Sequence, residues 1–227
     1  MATITVSSVL ARCAVLLQDP TNIRWPQAEL LDWLNDGQRE IALYKPNAFV
    51  KNQSKQMSSG TKQALPADGV SLIDVVRNMG TNGTTPGAAI RAVSREILDS
   101  QTPEWHTATA SASAKHFVYS VLDPKNFYVY PPNTGTGHVE IIYVAAPADA
   151  TLVGTITLDD IFVTALVNYI LYRAYSKDAE FAANASAAQA YYQAFQGNLA
   201  GKAGAEAGSN PNQALMPFNP NLPGGNK

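Results

Sequence analysis

The spacing of apolar residues changes twice along this chain, and that change restricts the fold more than any other feature of the sequence. In 5–46 and again in 156–200, apolar residues recur every three or four positions, which is typical of amphipathic helices. In 47–155, short runs rich in Val, Ile, Tyr and Phe alternate with turn residues, which is typical of strands. The pattern predicts an α+β protein, in which both chain ends supply a bundle of about four helices and the middle forms a β-rich insertion domain.

Apolar spacing and stop signals locate three of these helices. The first is predicted over 7–18. The second is predicted over 26–44, because the chain around Pro46 cannot continue a helix. The third is predicted to open at Thr157, which together with Asp160 has the spacing of a capping box.

The fourth helix is predicted to pack lengthwise on another helix, because its apolar residues are spaced alternately four and three positions apart. This helix–helix seam consists of Phe181, Ala185, Ala188, Tyr192, Phe195 and Leu199. Only a short polar segment separates the third helix from the fourth, so the two are expected to form either an antiparallel hairpin or one long bent helix.

Inside the insertion, turn residues separate five predicted strands and one short helix. The strands are predicted over 71–76, 88–93, 116–121, 127–130 and 139–144, and the helix over 94–101. The strand region also carries a cluster of aromatic residues, namely Phe127, Tyr128, Tyr130 and Tyr143. A stacking platform for bases or sugars is one interpretation of this cluster, and cross-strand pairing is the simpler one.

Residues 201–227 differ in composition from the rest of the chain. They contain five Gly, four Pro and five Asn, and such a segment buries too little apolar surface to fold alone. Prolines favour an extended path through its one apolar cluster, which consists of Leu215, Met216, Phe218 and Leu222. We therefore expect an extended tail that docks on a partner.

Charged residues make up only 15% of the chain, well below the roughly 25% of typical soluble domains. This composition predicts a homo-oligomer whose surface is partly covered by neighbouring copies. The formal net charge of −2 offers no basic field for tight DNA binding. No apolar run has the length of a membrane span, and the single cysteine, Cys13, is predicted to be a small buried hydrophobe.

The sequence lacks the patterns of catalytic, cofactor-binding and metal sites. The three histidines, His106, His116 and His138, have neither helical i, i+4 spacing nor a carboxylate ligand motif. A nucleophile elbow and a phosphate-binding glycine loop are both missing. The adjacent acids Asp159 and Asp160 are explained by the favourable helix dipole at a first turn. We expect no enzyme activity and no cofactor.

One stretch is locally basic, because four lysines occur there without an acidic residue. They are Lys45, Lys51, Lys55 and Lys62. Lysines at this wide spacing on polar strands are usually only solvated. The alternative is that they contact DNA or an acidic neighbour.

Several segments occur in an order that resembles the phage head-to-tail adaptor, or connector, family. The likeness covers about residues 5–200, and the segments that carry it are 24–35 (RWPQAELLDWLN), 64–69 (ALPADG), 74–79 (DVVRNM), 123–125 (DPK) and 127–132 (FYVYPP).

The resemblance implies a structural virion protein that assembles in the host cytoplasm and lies in the neck between capsid and tail. In that family a ring, commonly a dodecamer, joins the portal protein to a tail or nozzle protein, and DNA passes through the ring without tight binding. A C-terminal extension grips the portal, a role that here would fall to the apolar cluster of the tail. The alternative is a receptor- or carbohydrate-binding tail component.

Overall fold

The computed structural model of the chain describes residues 2–178, 180 and 182–208. Within this part the chain forms five α-helices and two β-sheets, so the predicted α+β class is confirmed. The helices are α1 (Val6–Leu16), α2 (Gln27–Tyr44), α3 (Arg95–Gln101), α4 (Val163–Lys177) and α5 (Ala182–Gly208). The strands are β1 (Val50–Gln56), β2 (Ser59–Ala64), β3 (Gly69–Asn78), β4 (Arg91–Ala92), β5 (His116–Tyr119), β6 (Asn126–Thr134) and β7 (His138–Ala145).

Helix α4 lies at the centre of the helical part and contacts α1, α2 and α5. The two chain ends therefore share one apolar core, whose members include Val9, Leu10, Leu30, Leu34, Leu166, Ile170 and Phe195. Close packing of α2 on α4 depends on Gly37, because a Cβ at this position would lie 3.0 Å from Cδ1 of Tyr169. Cys13 is buried in the same core, as predicted, and burial raises the pKa of its thiol to about 12.

The start of the third predicted helix differs from the capping box expected at Thr157 and Asp160. The backbone N–H and the hydroxyl of Thr157 donate to Oε1 of Gln38, at 2.8 and 2.7 Å. The Asp160 carboxylate instead accepts hydrogen bonds from the backbone N–H groups of Thr3 and Ile4 and from the Thr3 hydroxyl. The capping box is therefore wrong, because the buried amide of Gln38 and the chain's own N-terminal segment compete for these groups.

The insertion consists of two sheets with strand orders β1-β7-β3 and β2-β6-β5-β4, antiparallel except for the short β4–β5 pair. Their inner faces enclose a second core, which includes Val75, Phe127, Val129, Val139, Ile141 and Tyr143. The β1–β2 and β6–β7 connections, each of which passes from one sheet to the other, meet where the Met57 N–H donates to the Gly137 carbonyl at 2.9 Å. Gly137 must be glycine, because a Cβ there would lie 1.9 Å from the Ala112 carbonyl oxygen.

Sequence patterns located β3, β5, β6 and β7 but missed β1 and β2. Strand β1 is a polar edge strand with no fully buried residue, so it lacks the apolar alternation that marks a half-buried strand. Among the predicted strands, 88–93 shrinks to the two residues of β4. Helix α5 continues to Gly208, so residues 201–208, predicted as part of the extended tail, are helical.

Candidate assembly surfaces

Aromatic rings hold α5 against α4. Ring centroids are 5.3 Å apart for Tyr169 and Phe195, and 4.8 Å apart for Tyr172 and Tyr192. From one ring pair to the next, the residue number rises on α4 and falls on α5. The two helices therefore run antiparallel, as expected for the hairpin, the first of the two alternatives predicted from sequence. Such ring pairs add about 0.5–1.5 kcal/mol each beyond the area that they bury.

The structure divides the predicted helix–helix seam. Ala188, Phe195 and Leu199 are buried and Tyr192 is half-buried, whereas Ala185 is exposed. Phe181 lies outside the described residues.

Helix α2 also reaches α5 near the end of this seam, through Tyr44. The Tyr44 hydroxyl lies 3.4 Å from the hydroxyl of Tyr192 and accepts a hydrogen bond of 3.3 Å from Nε2 of Gln196. The contact with Tyr44, together with burial, raises the pKa of Tyr192 to about 12.

The outer face of α5 is exposed and uncharged. Between Ala182 and Gly201 the helix contains no charged residue. The exposed positions carry small or amide side chains, among them Ala183, Ser186, Ala190, Gln193, Ala194 and Gly197. A long solvent-facing helix normally carries many charges, so this face has the composition of a surface that contacts protein.

A second exposed apolar surface lies on α1 and the segment that follows it. Val15 and Leu16 project from the last turn of α1, and Ile23, which follows it, is 83% exposed. The charge of α1 is a single residue, Arg12. The apolar spacing of this helix predicts a buried stripe of Val6, Val9, Leu10, Cys13, Leu16 and Leu17. The prediction is wrong for Leu16, which is 50% exposed, and the exposed apolar residues are recognisable only once the core is known.

An apolar groove of about 390 Å³ lies between the C-terminal part of α2 and the sheet β1-β7-β3. Its wall includes Ala42, Leu43, Pro46, Val70, Ala145 and Pro147. Leu43 is 78% exposed at its edge. The charged residue of the wall, Arg39, forms ion pairs with Asp36 and Asp149, which leaves the groove itself without a free charge.

The turn between β5 and β6 presents Val121 and Leu122 to solvent, and Leu122 is 93% exposed. The turn is held by hydrogen bonds from the Leu122 N–H to Oγ of Ser120 (3.3 Å) and from Nδ2 of Asn126 to Oδ1 of Asp123 (2.7 Å). Two apolar side chains on a well-braced turn form a further candidate contact. The Asp123-Pro124 pair predicts the turn from sequence, but it does not predict that Val121 and Leu122 are exposed there.

The four lysines lie on different elements. Lys45 is only 8% exposed, so burial removes it from the surfaces that DNA can touch. Nζ of Lys51 lies 2.6 Å from the carboxylate of Asp68, and this hydrogen bond holds the pKa of Asp68 below its usual range. Lys55 and Lys62 lie on β1 and β2, which belong to different sheets. The four side chains therefore do not share one face of a sheet.

The aromatic cluster of the insertion is mostly internal. Phe127 and Tyr143 are buried in the β core, and Tyr143 donates a hydrogen bond of 3.1 Å to Asp68. Tyr128 and Tyr130 pack beside buried Trp105. Phe127 and Tyr143 are therefore not available to stack on bases or sugars.

Across the described residues, no group of three or more His, Cys, Asp and Glu side chains has the arrangement of a metal site. None of the helices in this part is long and apolar enough to cross a membrane. The predicted docking residues of the tail, Leu215, Met216, Phe218 and Leu222, lie outside the described residues.

A comparison with protein families matches residues 4–215 to a family described as SU10 adaptor protein. The match spans both helical ends and the whole insertion. Among curated proteins, no sequence matches the chain.

Proposed function

Because the chain belongs to the SU10 adaptor protein family, we propose that it forms a head-to-tail adaptor ring. Family membership makes it a structural virion protein of a phage, with portal and tail proteins as its partners. In the proposed ring, commonly a dodecamer, the subunits join the portal of a DNA-filled capsid to the tail, line part of the DNA channel and perform no catalysis. The observation that carries this function is the match itself, which extends over nearly all of the described chain.

Two surfaces of the subunit support a ring. A ring forms by head-to-tail contacts, so each subunit must offer two different surfaces to its neighbours. The uncharged outer face of α5 and the apolar residues Val15, Leu16 and Ile23 beside α1 are two such surfaces. Both surfaces lie on the outside of the helical part of the subunit. We propose that this part is a four-helix bundle that builds the ring, and that the β insertion projects from it.

The C-terminal segment is proposed to grip the portal through Leu215, Met216, Phe218 and Leu222. Helix α5 supports this role, because it carries the chain to Gly208, where this segment begins. A single short apolar segment binds weakly, but the linked tails of a ring bind with high avidity. Deletion of 209–227 should leave a folded ring that fails to join heads to tails, and infectious particles from this deletion would refute the docking role.

The near-neutral charge of the chain supports passage of DNA without tight binding, since retention on DNA depends on clustered cations. Assembly in the host cytoplasm is proposed as part of the family role.

Charge insertions combined with electron microscopy test the ring. Ala190→Glu on α5 and Val15→Glu on α1 should each convert rings into single subunits, because each places a carboxylate in an apolar contact. Gln101→Glu at the end of exposed α3 is the matched control and should leave rings intact. Intact rings in both variants would refute these interfaces, and trimers in the wild-type protein would favour the receptor-binding alternative.

A further inference from the structure

The apolar groove beside α2 is left uncovered by the described chain. Its volume is about 390 Å³ and its wall is almost entirely apolar, with Leu43 and Val70 exposed at the edge. Apolar surface of this kind normally marks a contact site, because leaving it in water is unfavourable.

Helix α5 carries the chain past the end of α2, which borders this groove. Gln196 contacts Tyr44, which is the neighbour of Leu43 in the chain. From Gln196 the helix continues to Gly208, which places its end about 18 Å farther along the helix axis. Residues 209–218, when extended, reach about 33 Å, which is enough to return from the end of α5 to the groove.

The segment 214–218 matches the groove in chemistry. Its sequence is Ala-Leu-Met-Pro-Phe, with no charge and no polar side chain. Methionine fills irregular apolar gaps well, and proline reduces the conformational freedom that the segment loses on docking. Arg39, the charged residue of the groove wall, is already paired with two carboxylates, so its charge does not oppose docking of an apolar segment.

We propose that in the free subunit residues 214–218 fold back and occupy the groove of their own chain. This inference rests on the proposed function in one respect, since the same segment is the one that grips the portal. Docking in the groove covers the apolar side chains until a portal competes for them. Only a few apolar side chains are buried, so the bound state is weak and readily displaced.

Photo-crosslinking in the full-length protein tests this docking. Phe218→p-benzoylphenylalanine places a light-activated group on the segment, and the crosslinked peptides are identified by mass spectrometry. Crosslinks should fall on the groove wall, within 42–46, 70–71 or 144–147. Leu43→Asp in the same protein should lower their yield at least about fivefold, because it places a charge in the wall. Leu122→Asp, the same substitution at an exposed leucine on the β5–β6 turn, is the matched control and should leave the yield unchanged.

A mixture of ¹⁵N-labelled and unlabelled protein identifies the chain that supplies the segment. Crosslinked pairs of uniform mass show docking within one chain, as proposed. Pairs of mixed mass would overturn the proposal and would show that a neighbouring copy supplies the segment. Crosslinks outside the groove wall would overturn docking in the groove altogether. Crosslinks whose yield Leu43→Asp does not lower would do the same. Circular dichroism verifies that both Asp variants fold. No portal is present in the assay, so its failure leaves the portal-gripping role untested, and that role is decided separately by the deletion of 209–227.

Discussion

Truncation of Phe195 to alanine tests whether α5 is part of the subunit's stable core or only an attached arm. Phe195 has 0% exposure and lies among the rings of Tyr44, Tyr169 and Tyr192, at centroid distances of 6.3, 5.3 and 6.0 Å. Replacing a buried phenylalanine by alanine costs about 3–5 kcal/mol, because apolar surface is lost and a cavity remains. That cost is a large fraction of the roughly 5–15 kcal/mol by which domains are stable.

Urea unfolding followed by circular dichroism measures this cost. The midpoint should fall with little change in the slope, and the thermal midpoint should fall by roughly 6–20 °C for a chain of this size. Gln193→Ala, on the exposed face of the same helix, is the matched control and should shift the free energy of unfolding by no more than about 0.5 kcal/mol. Protein concentration must be equal throughout, because assembly itself stabilises the subunit.

A cost below about 1 kcal/mol for Phe195→Ala would refute the reasoning. It would mean that α5 leaves α4 without disturbing the rest of the fold, so that the ring contacts among the four aromatic side chains do not stabilise the free subunit.

Three further predictions concern polar groups. Lys45→Ala should destabilise the subunit by about 1–3 kcal/mol because the buried lysine stem is lost, whereas Lys62→Ala should change stability by less than about 0.5 kcal/mol, as measured by urea unfolding. Gln38→Ala should cost about 1–3 kcal/mol in the same assay, because the N–H and the hydroxyl of Thr157 lose the buried side-chain oxygen that accepts from both. Asp160 has a pKa below its ordinary value of 3.8, chiefly through the hydrogen bond from the Thr3 hydroxyl. The stability that ionised Asp160 adds to the fold is therefore complete above pH 3.8 and is lost as the pH falls through the lowered pKa. Asp160→Asn should flatten the loss of stability in acid. An unchanged dependence of stability on pH would contradict this assignment.

The helices at the two chain ends were predictable from sequence because each buries apolar residues of regular spacing in a common core. The spacing of Val9, Leu10 and Cys13 on α1 or of Leu166 and Ile170 on α4 records that burial directly. Strands β1 and β2 were not predictable in this way. Edge strands leave polar residues on both faces, so the information that places them resides in their partners β7 and β6 rather than in their own residues.

The candidate surfaces were less predictable than the core, because exposure depends on residues distant in sequence. Ala185 and Ala188 occupy equivalent places in the predicted seam, yet only Ala188 is buried. Lys45 was assigned with Lys62 as a surface cation, and the fold around the end of α2 buries it. Along α5 the apolar spacing was correct, and tertiary packing selected which of its residues remain accessible. The lysines were grouped by sequence alone, but they lie on different elements, so packing buries Lys45 and leaves Lys62 exposed.

Because α4 and α5 pair antiparallel, α5 both packs in the helical core and extends beyond the start of α4. Tyr172 lies against Tyr192, so the start of α4 at Val163 lies near residue 202, and the remaining turns up to Gly208 extend about 9 Å beyond it. The root of the C-terminal segment is thereby held clear of the helical core. We propose that from this point the segment returns to the apolar groove beside Leu43 in the free subunit and extends to the portal in the assembled ring. Weak docking in the groove is then sufficient in a single chain. In a ring the linked segments bind the partner with high avidity, which outweighs docking in the groove.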